Sequence, residues 1–211
     1  MSEPPSISDE ALALQTQAGS MEAFEELVLR YERRIYSFVS QSCRDGIDAA
    51  EITQETFVKA YQAIEQFDPT RTFAPWLFTI ARRKCVDHFR ALKNVLPLQS
   101  SSLNPASDNA APEMSDTNDP AEALALLDER RHLWNIAGRI LPQSQFDALW
   151  LHYVEDMSVA QIAKVLRRPQ TYIKVLLFRA RKVLAARLKP SAAISNSLPE
   201  SLPQSYEIPV H

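Results

Sequence analysis

Between Trp76 and Ala91 the chain reads WLFTIARRKCVDHFRA, placing Trp76, Leu77 and Phe78 just ahead of Arg82, Arg83 and Lys84, with Arg90 beyond. Flat or apolar groups beside cations are what an unstacked nucleic-acid strand requires: the rings support bases and the cations meet the backbone. A second cluster, TYIKVLLFRARK, sets Thr171, Lys174, Val175, Phe178, Arg179 and Lys182 at helical spacing on one side of a helix. Hydrogen-bonding, cationic and apolar groups on one face suit a helix that grips phosphates while touching base edges in the major groove. A third set, Glu51, Gln54, Glu55, Val58 and Gln62, forms a stripe with no basic residue. Each set has a plainer reading: Trp76 as core filler, the stripe as a solvated face.

The charge distribution strengthens the first two. The whole chain carries a net charge of −3, yet Arg71–Lys93 holds Arg71, Arg82, Arg83, Lys84, Arg90 and Lys93 against the single acid Asp87. From Lys164 to Lys189 there are nine basic residues and no acid. Between these blocks, residues 94–128 contain six acids (Asp108, Glu113, Asp116, Asp119, Glu122, Asp128) and no Lys or Arg. Two basic modules flanking an acidic connector fit contact with a polyanion better than the average charge implies.

The elements that must position these residues are helices. A 45% hydrophobic composition, three glycines and fourteen prolines gathered near the ends and the middle favour an all-α protein of two small domains. Phe24, Leu27, Val28, Tyr31, Ile35, Phe38 and Val39 recur as one amphipathic face. A second helix is expected from about 47 to 67, stopped by Asp68-Pro69, and a third over 73–92, with Pro75 tolerated in its first turn. On the second, Ala50, Phe57, Tyr61 and Ile64 are read as the packed face. On the third, Leu77, Ala81, Cys85, His88 and Leu92 point inward, and Trp76, Thr79, Ile80, Arg83, Asp87 and Arg90 outward. The boundaries are an N-terminal segment 1–19, a first module 20–93, a flexible acidic linker 94–120, a second module 121–188 and a disordered Pro/Ser-rich tail 189–211.

In the second module a helix is expected up to Pro142, with Leu124, Leu127, Leu133, Ile136 and Ile140 on its apolar face. Helices over 144–154, 158–166 (opened by Ser158) and 169–188 follow. The last two have the arithmetic of a helix-turn-helix. Val159, Ile162, Ala163 and Leu166 precede a short turn, and Ile173, Leu177, Ala180 and Leu184 then share the buried face.

Together, DAAEITQETFVKAYQAIEQFD, FAPWLFTIARRKCVDHFRA and LPQSQFDALWLHYVEDMSVAQIAKVL…TYIKVLLFRARKVL resemble the two domains of extracytoplasmic-function sigma factors of bacterial RNA polymerase. The resemblance spans about 20–92 and 122–188. It implies a promoter-specificity subunit that binds core polymerase, opens the downstream (−10) element with its first domain and holds the upstream (−35) element with its second. By the same resemblance Asp48, Glu51, Gln54 and Glu55 dock on the polymerase, and Phe73 lies in the loop that takes a flipped base. Phe73, Trp76, Arg83, Lys84 and Arg90 then face the downstream element, and Thr171, Lys174, Val175, Phe178, Arg179 and Lys182 the upstream one. An anti-sigma factor joins core polymerase and promoter DNA as a partner class. Three departures stand out: Arg83 where the family often has Asn, the turn Leu166-Arg167-Arg168-Pro169 where a Gly is common, and Val175 and Leu176 at positions often polar or basic in relatives.

No Gly-rich phosphate loop or nucleophile motif is present, so neither an enzyme nor a small-molecule substrate is expected. Cys43 and Cys85, and the scattered His88, His132, His152 and His211, lack ligand spacing, so no metal or cofactor is expected. No signal peptide or membrane span is apparent, and a cytoplasmic location is expected. Two other readings remain at this point: a stand-alone helix-turn-helix repressor or activator, and a helical adaptor that recognises no promoter.

Overall fold

The computed structural model describes residues 7–43, 49–95, 130 and 132–188. Among these every regular element is helical: α1 (Asp9–Gln17), α2 (Met21–Cys43), α3 (Ala49–Gln62), a 3₁₀ turn (Ile64–Gln66), α4 (Phe73–Val95), α5 (132–140), α6 (Gln143–Tyr153), α7 (Val159–Leu166) and α8 (Gln170–Leu188). The all-α architecture expected from the sequence holds. Residues 96–120 of the expected linker, the tail 189–211, Asp48, Leu124 and Leu127 lie outside the described residues.

Helix α1 lies within the N-terminal segment 1–19, for which the sequence pattern predicts no helix. Its signals are local: Ser8 accepts the Ala11 N–H at 3.2 Å as an N-cap, and Asp9 and Glu10 occupy the first turn, where carboxylates favour the helix dipole. Gly19, at φ +99°, turns the chain out of α1, and Ser20 Oγ accepts the Ala23 N–H at the start of α2. Leu12 and Ala13 of α1 are buried with Leu27, Tyr31, Ile35 and Phe38 of α2, so this segment is part of the first core.

On α3 the packed face is Ala49, Ile52, Thr53, Thr56, Phe57 and Ala60. That face is rotated from the expected one: Ala50 and Tyr61 are exposed. The aromatic Tyr61 instead rests its edge on Phe24, centroids 5.0 Å apart, which keeps part of an amphipathic ring in water. On α4, Leu77, Ala81 and Cys85 are buried as read, and Phe78 joins them against Phe38. His88 is only half-buried. On α5 the inward residues are Trp134 and Ala137, followed by Leu141, whereas Leu133, Ile136 and Ile140 are half-buried. The reason is the aromatic cluster Trp134–Phe146–Trp150, which draws the indole rather than the aliphatic stripe into the second core.

The two modules are docked, and their buried residues form one continuous core. Helix α4 packs on α7, and α2 meets α6. Among the described residues two ion pairs cross the junction. Arg82 on α4 donates to Asp147 on α6 at 3.1 Å, and Arg34 on α2 donates through Nε and Nη2 to Glu155 at 2.9 and 2.7 Å. Both carboxylates are almost wholly inaccessible, at 3% and 1% side-chain exposure.

Candidate nucleic-acid interface

The outer face of α8 follows from its inner one. Ile173, Leu176, Leu177, Ala180 and Leu184 are buried, and this fixes the rotation of the helix. Thr171, Lys174, Val175, Phe178, Arg179 and Lys182 are therefore all exposed, Phe178 at 66%. A phenyl ring left in water on a cationic face is uncompensated in the free chain. Leu176, one residue past Val175, is buried and belongs to the core.

The turn before α8 depends on Arg167, which adopts φ 51°, ψ 50° as the C-cap of α7. The Arg167 N–H donates to Lys164 O at 3.3 Å and the Arg168 N–H to Ala163 O at 3.0 Å. A left-handed residue is what the turn needs, and here an arginine supplies it in place of the easier glycine. At the other end of α7, Ser158 and Gln161 form a reciprocal capping box, with Ser158 N–H to Gln161 Oε1 at 2.8 Å and Gln161 N–H to Ser158 Oγ at 3.3 Å.

On the first module, Trp76 is half-buried, its ring 5.2 Å from Phe67 and 5.5 Å from Phe73. Phe73 itself is 1% exposed and also touches Tyr31. A base cannot stack on a ring so enclosed, so the direct role expected for Phe73 is corrected: it supports Trp76 from below. Together with Asp68, Arg71, Thr72, Pro75 and Thr79, the exposed side of Trp76 borders a cavity of about 220 Å³. Asp68 shapes this wall. Its carboxylate accepts from the Thr70 N–H at 3.0 Å and the Thr70 hydroxyl at 2.7 Å, and pairs with Arg71 at 3.0 Å; the Thr70 bonds hold its pKa below the usual value. Arg83 and Arg90 are exposed further along α4, Arg90 lying 3.6 Å from Asp87. Lys84 is engaged differently from the expectation. It donates to Glu55 on α3 at 2.8 Å, tying α3 to α4.

The wall has a brace that sequence reasoning missed. Gln17 on α1 gives both amide hydrogens to the turn that leads into α4, to Ile64 O at 2.7 Å and Phe67 O at 2.8 Å. Glu10 accepts the Phe73 N–H at 3.0 Å, capping α4. No local pattern announces such contacts, because donor and acceptor are far apart in the chain.

The acidic-amide stripe divides. Gln54, Val58 and Tyr61 open onto a groove of about 890 Å³ between α2 and α3, floored by Phe24, Val28 and Phe57. Glu51 is exposed but is not among its lining, and Glu55 turns toward Lys84. Gln54 alone of the four residues expected to meet the polymerase faces the groove, Asp48 being outside the described residues.

Two family models match this chain: sigma-70 region 2 over residues 27–95 and sigma-70 region 4 over 139–184. It is 33% identical to the ECF RNA polymerase sigma factor BldN of Streptomyces coelicolor, over 90% of this chain and 70% of BldN. To the ECF RNA polymerase sigma-E factor of Escherichia coli K12 it is 30% identical, over 87% of this chain and 96% of that one. The chain belongs to the ECF sigma factors. Its function is promoter recognition for RNA polymerase at transcription initiation.

Among solved structures, this sigma factor is similar to CnrH, determined in complex with the cytosolic domain of CnrY: TM-score 0.58, 26% identity, covering 85% of this chain and 96% of CnrH. It also shares the fold of the Bartonella quintana sigma factor RpoE, solved with the anti-sigma factor NepR, at TM-score 0.59 and 21% identity over 81% of this chain. Region 2 takes in most of α2, then α3 and α4. Region 4 begins within α5 and ends within α8. Helix α1 precedes both. Among the described residues no helix is long and apolar enough to cross a membrane.

Proposed function

We propose that this sigma factor reads the upstream promoter element with the outer face of α8, receives the downstream strand on the Trp76 wall, and docks on core polymerase through the groove between α2 and α3. The observation that carries the reading is the sorting of α8: its core row is buried and its outer row offers Lys174, Arg179 and Lys182 beside Val175 and Phe178. Cations give affinity through phosphates, and the apolar pair gives preference through thymine methyls. Trp76, Arg83 and Arg90 serve the opened strand. Lys84 contributes indirectly by fixing α4 to α3. The proposed units are 20–93, with α1 packed on it, for the polymerase and downstream element, and 121–188 for the upstream element.

The protein acts as a non-enzymatic initiation factor in the cytoplasm, where polymerase and promoter are found. CnrH was solved with a protein partner, and a regulator of the anti-sigma class is proposed for this chain too. Run-off transcription on genomic fragments with core enzyme tests the reading: specific transcripts should appear only when the protein is added. Tight operator binding with no polymerase-dependent transcript would instead identify a stand-alone repressor.

A further inference from the structure

We propose that Gln17 and Glu10 are positioning residues for the downstream strand: from α1 they fasten both stems of the 68–71 turn and so set its distance and angle to Trp76. This inference rests on the assignment of the Trp76 wall made above.

The turn is closed within itself. The Arg71 N–H donates to Asp68 O at 3.0 Å, and the Asp68 carboxylate takes the Thr70 N–H and hydroxyl. It can therefore move as one piece about its stems, Phe67 and Phe73. Those stems meet Trp76 through their rings, at centroid distances of 5.2 and 5.5 Å. Apolar contact draws the rings together but is non-directional, whereas hydrogen bonds constrain angle as well as distance. The directional contacts come from α1. Gln17 Nε2 donates to Phe67 O at 2.8 Å and to Ile64 O at 2.7 Å, and Glu10 Oε1 accepts the Phe73 N–H at 3.0 Å. Helix α1 is itself held: Asp9 accepts the Tyr31 hydroxyl at 2.6 Å and Arg30 Nη1 at 2.8 Å, and Tyr31 packs edge-on against Phe73. One helix thus grips both stems and the tyrosine beneath them.

An unstacked base is read by several groups at once, and these must agree in position to within a fraction of an ångström. Asp68 and Arg71 line the cavity from the turn, and Trp76 and Thr79 line it from α4. The placement of the first pair relative to the second is what Gln17 and Glu10 fix, without themselves meeting the strand.

Reconstituted holoenzyme tests this on a promoter selected by run-off transcription. Open-complex formation is measured on templates changed one base at a time in the downstream element, and each base preference is taken as a ratio to the unchanged template. Gln17→Met keeps length and apolar stem but removes both donors. It should lower the preference at the position facing the turn by about tenfold, the scale of one or two net hydrogen bonds. Glu10→Ala should act at the same position, and Glu10→Gln, which keeps an acceptor for the Phe73 N–H, should retain the wild-type ratio. A mere loss of folded protein lowers all templates by one factor and leaves the ratios alone. Unchanged ratios in Gln17→Met and Glu10→Ala, or an equal loss in Glu10→Gln, would overturn the proposal.

Trp76→Ala separates this role from the wall itself. It should depress opening on every template. If it does not, the wall assignment fails and the positioning role with it; if it does while the ratios above stay at wild type, the positioning role alone fails. Should a variant not fold, amide exchange in the wild-type chain carries the test. The Phe73 N–H stands in the first turn of α4, where no intrahelical carbonyl is available. Held by Glu10, it should exchange at least about tenfold more slowly than an unprotected amide, and exchange at the unprotected rate would overturn the proposal.

Discussion

The division of labour on α8 yields a quantitative expectation for salt. Lys174, Arg179 and Lys182 stand on the exposed face of a helix that carries no acid, so each is available to one phosphate. Three phosphate contacts give a slope of log K against log salt of about −2.7, and raising salt fourfold should therefore weaken upstream-duplex binding by about fortyfold. Lys174→Ala removes one contact, flattens the slope to about −1.8 and reduces the same loss to about twelvefold. Phe178→Ala removes no charge, so its slope should match the wild type while its ranking of upstream sequences changes at a thymine-bearing position. Both variants should fold normally, because each side chain lies in solvent. Fluorescence anisotropy across a salt series, on a small panel of duplexes, reads both quantities. If Lys174→Ala leaves the slope unchanged, or Phe178→Ala weakens every duplex equally, the assignment of phosphate anchors and base readers is wrong.

Further expectations concern the turn, the groove and the junction. Arg167 holds a left-handed conformation that costs an arginine roughly 1–2 kcal/mol; Arg167→Gly, after the entropy glycine adds to the unfolded chain, should raise the melting temperature by about 2 °C, and a decrease would refute strain at this position. Val58 is exposed at the mouth of the groove between α2 and α3, so Val58→Glu should abolish co-purification with core polymerase while the circular dichroism spectrum stays unchanged; normal polymerase binding would exclude the groove. Burial pushes the carboxyls of Asp147 and Glu155 above their usual range, against the opposing pull of Arg82 and Arg34. The docked form therefore holds protons more tightly than the separated one. Its stabilisation from these groups is complete below the ordinary carboxylate value and is lost as pH rises through the raised values, so scattering should show contraction from neutral toward acid pH.

What the sequence disclosed follows from the range of the interactions involved. The inner row of α8 was legible because Ile173, Leu177, Ala180 and Leu184 recur at the helical period, and that row in turn dictates the outer face. Ser158 was legible as a cap because capping is a contact over three residues. The enclosure of Phe73 was not, since it depends on Tyr31 and Phe67 arriving from other elements. Nor was the rotation of α3: Ala50 and Ala49 look alike in a pattern, and only packing on α2 and α4 separates them. The junction was least accessible. Arg82 reads as one more cation in a basic run, and its partner Asp147 lies in another module, where a buried acid is indistinguishable in sequence from a solvated one. Helix α1 is a different case, for Ser8, Asp9 and Glu10 carried a start signal within reach of local rules.

The contacts of Gln17 and Glu10 bear on how such proteins are recombined. A chimera built by grafting the region 2 homology, cut at residue 27, would transplant the Trp76 wall but leave its two long-range fasteners behind. The recipient would have to offer an amide and a carboxylate of its own at the same places, or the loop from Ile64 to Phe73 would lose three hydrogen bonds at once. The heritable unit of downstream recognition in this chain is thus longer than its recognisable motif, and a parts library for synthetic promoters should draw its boundary ahead of Ser8.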